Sequence, residues 1–113
     1  MRYLLLLCAV LLVCSPLCFA HPPSSIKAAA VMETSTVTVT VAHHVANPAT
    51  HYIKLIRIKI NGKTVAESTI LQQTDTKEQV ENLTVPGLKA GDKLLIQAYC
   101  SRFGSKGSTV TVE

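Results

Sequence analysis

Tryptophan is absent from this chain, and phenylalanine and tyrosine together make up five of its 113 residues. A core built on stacked aromatics is therefore excluded, as is a single-stranded nucleic-acid surface that pairs aromatic platforms with basic side chains. Runs of lysine or arginine are missing too. The eleven basic residues are scattered and give a net charge of +4, which reads as a solvated surface with a mild positive bias and no nucleic-acid partner. No apolar stretch is long enough to span a bilayer comfortably. The longest, residues 4–13, is roughly ten residues long against the ~20 that a spanning helix needs. Cysteine is scarce where it would matter. Three of the four lie within the first 18 residues, and only Cys100 stands beyond them.

Those first residues have a function of their own. Met1-Arg2 is a short positive start, residues 4–13 are an apolar centre, Ser15-Pro16 breaks it, and Cys18-Phe19-Ala20 supplies small residues for a peptidase. The pattern predicts a secretory signal peptide over residues 1–20 with cleavage after Ala20, and hence a periplasmic or secreted protein with no stable membrane insertion once cleaved. Cys8, Cys14 and Cys18 lack the Leu-small-small context of a lipid-attachment site. The remaining 93 residues form one small domain. They keep ten basic residues (all but Arg2) against seven acidic ones, a charge of +3. With one cysteine left, an intramolecular disulfide is impossible. An exported domain of this size then rests on its core, a metal or a partner. An odd thiol flags either chemistry or pairing with a second copy, which leaves room for a homo-oligomer.

What is present is β structure. Residues 21–34 are a lead-in without periodicity, ending in an apolar run (residues 28–32) compatible with a helical turn or an edge strand. Thr36-Val37-Thr38-Val39-Thr40-Val41 alternates strictly with β-branched residues, a strong strand signal. Residues 52–60 form the next strand, with Ile56, Ile58 and Ile60 on one face and Arg57 and Lys59 on the other. Asn61-Gly62 follows directly and predicts a tight hairpin into residues 63–68. Residues 72–78 read as a polar loop, 80–85 as a weaker strand, and 93–99 as a strand with Leu94, Ile96, Ala98 and Cys100 on one face. Residues 104–107 read as a flexible turn before a final strand at 108–112. About seven short strands with no helical pattern predict an all-β, immunoglobulin-like antiparallel sandwich over residues 35–113. Asn82-Leu83-Thr84 matches the glycosylation acceptor pattern, which at three residues is a common chance match.

Four histidines remain beyond the leader: His21, His43, His44 and His51. Imidazole is the commonest transition-metal ligand, and thiolate selects iron, copper(I) or zinc. His43 and His44 stand where one strand runs out, and His51 where the next begins. Cys100 ends a later strand, so the rim of a sandwich can bring them together. The same residues have plainer readings. Cys100 shares the face of Leu94, Ile96 and Ala98 and suits a buried core thiol. His43 continues the Val37-Val39-Val41 face, and His44 points the other way. No Ser/His/Asp arrangement, glycine-rich phosphate loop or carboxylate pair stands out.

His43-His44-Val45, His51-Tyr52-Ile53-Lys54-Leu55-Ile56, Gly62, Ala98-Tyr99-Cys100 and Gly104 together resemble the catalytic domain of superoxide reductases, the desulfoferrodoxin iron domain. The likeness covers roughly residues 35–104. That family's pattern is His-Pro-Met, a short loop, His-Tyr-Ile, and near the end Tyr-Cys-Asn-x-His-Gly. The resemblance implies an immunoglobulin-like sandwich holding non-haem iron through four planar histidines and an axial cysteine. A sixth position stays open for superoxide or another small anion, and an electron donor protein acts as partner. It implies His51 and Cys100 as ligands. His43 would be a third, or His44, which stands in place of the proline of a loop here two residues longer. His21 is the candidate for the histidine near the domain's start. Phe103 occupies the place of the remaining one, so the implied site is incomplete. A second likeness, in residues 52–65 and 88–94, is to the small sandwich subunit of the periplasmic sulfur-oxidation carrier complex, a binding module with no catalytic role. A sandwich without metal is the third reading. His21 carries one further implication: after cleavage its amine and imidazole can chelate copper together.

Overall fold

A computed structural model describes residues 21–113; the predicted signal segment lies outside the described residues. Seven strands fold into two antiparallel sheets. They are β1 (Ser25–Val31), β2 (Thr36–Ala42), β3 (Ile53–Ile60), β4 (Lys63–Thr69), β5 (Glu78–Thr84), β6 (Lys93–Cys100) and β7 (Ser105–Thr111). One sheet has the order β1-β2-β5 and the other β4-β3-β6-β7, an immunoglobulin-like sandwich as the strand count predicts. Among the described residues no helix is long and apolar enough to cross a membrane.

The core follows the period of two. Val37, Val39 and Val41 of β2 face Leu94, Ile96 and Ala98 of β6 and Ile56 and Ile58 of β3, all of them buried. The alanine-rich run, helix or strand by sequence, is the edge strand β1, paired residue for residue with β2 from Ser25–Ala42 to Val31–Thr36. Alanine's helix preference is weak beside a complete ladder of backbone hydrogen bonds. A similar override occurs at the C-terminus. Residues 105–107, expected in a flexible turn, already pair with β6 at Tyr99, Ala98 and Gln97. The turn itself is confined to residues 101–104.

The β3–β4 hairpin closes on Asn61 (φ 51°) and Gly62 (φ 78°), the two left-handed residues of a type I′ turn. A Cβ at Gly62 would meet nothing within 4 Å, so the cost of adding one is purely conformational. Gly62→Ala is expected to destabilise by about 1–2 kcal/mol, read as a lower urea midpoint with an unchanged slope.

β3 also carries a bulge. Ile53 pairs with Cys100 but Leu55 with Tyr99, which leaves Lys54 as the extra residue. One inserted residue inverts the facing of everything before it. Ile53 is therefore buried along with Ile56 and Ile58 despite its odd number, while Lys54 is exposed.

Candidate metal centre

Three chain segments meet at one rim of the sandwich. His43 lies one residue past β2, where its N–H donates to Lys77 O at 2.9 Å and so prolongs the β2–β5 pairing. His51 lies two residues before β3. Asn47 builds its loop: Asn47 Oδ1 accepts from Ala49 N–H at 2.9 Å, and Asn47 O accepts from Thr50 N–H at 3.2 Å and His51 N–H at 3.0 Å. Cys100 ends β6. Ser101 N–H donates to Tyr52 O at 2.8 Å and Tyr52 N–H to Ser101 Oγ at 3.1 Å. That clamp fastens the end of β6 to the start of β3. The β3 bulge turns His51 inward with Ile53, toward Cys100.

The result is a buried cluster. His43, His51 and Cys100 are 0 %, 8 % and 4 % exposed, and one ligand atom from each lies within 4.8 Å of the others. Two ligands of one tetrahedral ion at about 2.0–2.3 Å stand roughly 3.3–3.8 Å apart, so the widest pair here, within 4.8 Å, draws in by up to about 1 Å to share an ion. His51 Nε2 is 3.1 Å from Cys100 Sγ. Either the thiol donates to the imidazole or the imidazole N–H donates to the thiolate, and a metal ion takes the place of that single proton. Arg102 N–H also approaches Sγ, at 3.5 Å.

His43 is oriented by a residue of the polar 72–78 segment. Gln73 is 2 % exposed. Its Nε2 donates to His43 O at 2.7 Å and to Asp75 O at 2.9 Å, which fixes the amide's orientation. Its Oε1 then accepts from Ile53 N–H at 3.2 Å and faces His43 Nδ1 at 2.8 Å. An amide oxygen only accepts, so Nδ1 carries the proton and Nε2 the lone pair. That Nε2 is fully buried and has no hydrogen-bond partner among the described residues. A buried, unpaired acceptor costs about 1–3 kcal/mol. A water or a cation supplies such a partner, and an imidazole whose far nitrogen donates to a fixed acceptor is the usual support for a metal ligand. Nothing in the spacing of residues 72–78 marks Gln73 for this role.

The other two histidines are placed differently. His44 is exposed, and it is His43 that enters the cluster. The half-buried His21 ring packs at 5.2 Å from the His43 ring and 5.8 Å from the His51 ring, between centroids, while the His43 and His51 rings are 4.8 Å apart. Phe103, three residues past Cys100, is 68 % exposed. Among the described residues Cys100 is the free cysteine, and it is buried.

The surroundings of His51 disfavour its charged form. Burial, and then the positive charges that His43, Arg102 and His21 can present, hold the His51 pKa below the ordinary histidine value of 6.5. The unfolded chain therefore binds a proton at this residue more readily than the folded one. The stability that His51 contributes is complete above pH 6.5 and is lost as pH falls from there through the lowered folded value. For the metal-free protein, urea midpoints should fall between pH 7.5 and pH 5, and His51→Gln should flatten that dependence.

Comparison of the chain with protein-family models, with curated proteins and with solved structures finds no match. Fold and site together describe a β-sandwich whose rim holds a buried cluster, His43, His51 and Cys100, that could hold a metal ion.

Proposed function

We propose that this chain is an exported, superoxide reductase-like domain that binds non-haem iron at His43, His51 and Cys100. One observation carries the reading: His43 Nε2, buried and without a hydrogen-bond partner, stands in the same cluster as the imidazole of His51 and the thiol of Cys100. The motifs His51-Tyr52-Ile53 and Tyr99-Cys100 support the family, and the immunoglobulin-like fold agrees with it. When bound, ferrous iron would supply one electron to superoxide, which with two protons becomes hydrogen peroxide, and an electron donor protein would restore that electron.

This chain's own residues do the rest. Gln73 holds the His43 ring with its lone pair toward the cluster. Cys100, as thiolate, favours iron, copper(I) or zinc over hard cations. The Arg102 side chain is exposed at the rim, with its Nε 3.4 Å from Thr50 O, and its charge attracts a small anion.

The test is anaerobic loading of the purified protein with ferrous iron. One iron per chain is expected, along with a visible thiolate-to-iron band on oxidation. Added superoxide should be consumed with formation of peroxide and no dioxygen. Substoichiometric iron, or superoxide decay no faster than the spontaneous rate, overturns the proposal.

A further inference from the structure

Residues 21–24, the first of the described residues, are held against the sandwich by specific contacts. Pro22 packs onto Gly104, where φ is +87° and an added Cβ would lie 2.9 Å from Pro22 Cβ, so glycine alone admits the contact. Pro23 is buried. Ser24 donates its backbone N–H and its hydroxyl to Ala42 O, at 2.9 and 3.1 Å, next to His43. These contacts set the His21 ring beside those of His43 and His51. Three imidazoles and a thiol thus converge. Within this group His43 Nε2 is buried with no hydrogen-bond partner among the described residues, and a shared cation would supply one.

His21 differs from the other three residues in one respect. It follows Ala20 directly, at the predicted cleavage point. An amide nitrogen inside a chain has no lone pair free for a metal, whereas the primary amine left by cleavage has one. The amine and Nδ1 of one histidine close a six-membered chelate ring on a single ion. We propose that removal of residues 1–20 completes the metal centre, with the new α-amine and the imidazole of His21 binding the same ion as His43, His51 and Cys100.

This rests on the metal-binding function proposed above and deepens it. The amine would provide the nitrogen donor that Phe103 does not. Nδ1 now lies 3.2 Å from Pro22 O in an exposed contact between adjacent residues, and chelation exchanges that contact for the metal. The amine's proton, ordinarily lost near pH 8, is displaced by the ion. The uncleaved precursor is then a weak metal binder, and the full centre forms after export.

The experiment exports the full chain from a bacterial host and compares it with a chain carrying one alanine inserted after Ala20, whose processed form begins one residue before His21. Intact mass gives each N-terminus, thermal unfolding confirms that both fold alike, and each is titrated with cobalt(II) alone. The chain starting at His21 should bind at least about tenfold tighter, since the amine is a tethered extra ligand, and both forms should show a near-ultraviolet thiolate-to-cobalt band. Equal affinities with the band present overturn the amine's role and leave the His43–His51–Cys100 site standing. A natural N-terminus other than His21 overturns it equally. Absence of binding and of the band in both forms overturns the proposed function along with it.

Discussion

Cys100→Ser is expected to lower the affinity for a thiophilic metal such as zinc or cobalt by about 100-fold or more, with the fold intact. A site of three or four side-chain donors that binds with about 10–16 kcal/mol in total loses on the order of 3 kcal/mol with one of them. Thiolate is the donor that soft and borderline cations prefer, and a serine hydroxyl stays protonated at neutral pH. Stability should change little by comparison. Serine is close in size, and its hydroxyl reaches toward His51 Nε2 where Sγ lies at 3.1 Å, so the metal-free protein should shift by about 1 kcal/mol. A chelator competition titration gives the first quantity and urea unfolding the second. If Cys100 is only a packed core thiol, which its 4 % exposure and its place in line with Leu94, Ile96 and Ala98 also allow, affinity will be unchanged and the metal-centre reading fails.

Gln73→Leu is expected to destabilise the metal-free protein by about 3 kcal/mol and to weaken metal binding roughly 10- to 100-fold. Leucine fills similar space but leaves His43 Nδ1–H, His43 O and Ile53 N–H without the partners that Gln73 gives them at 2.8, 2.7 and 3.2 Å. Each orphaned group costs on the order of 1–3 kcal/mol, and water entering the rim relieves part of the sum. The loss of affinity has a separate origin: without an acceptor at Nδ1 the His43 ring can turn, or take the tautomer whose lone pair points away from the cluster. Gln73→Glu separates the two effects. It keeps an acceptor for His43 and Ile53 and loses the amide donor, so metal affinity should largely return while stability does not. If Gln73→Leu loses stability yet binds cobalt as tightly as the parent, Gln73 is a structural residue alone.

Much of this molecule is local enough to be read along the chain. Val37-Val39-Val41 and Leu94-Ile96-Ala98 face the core because an unbroken ladder preserves the alternation of side chains, and the same alternation carried one step on puts His43 and Cys100 on the inner side. Asn61-Gly62 specifies its own turn, since few other residue pairs accept two successive positive φ angles. These features depend on neighbours two to four residues away, and the sequence determined them by itself.

The tertiary structure decided the rest. Counting alternately back from Ile56 puts His51 with Arg57 on the outer face. The extra residue at Lys54 reverses that facing, and the pairing partner that creates the bulge is nearly fifty residues downstream. His43 could be told from a satisfied rim histidine only through Gln73, thirty residues away in a segment with no strand pattern. The alanine run became a strand because β2 presented an open edge to it. His21 reached the cluster because Gly104, at the far end of the chain, has no Cβ to obstruct Pro22. In each case the deciding term is a hydrogen bond or a close contact between distant segments, which forms only once the two sheets have packed.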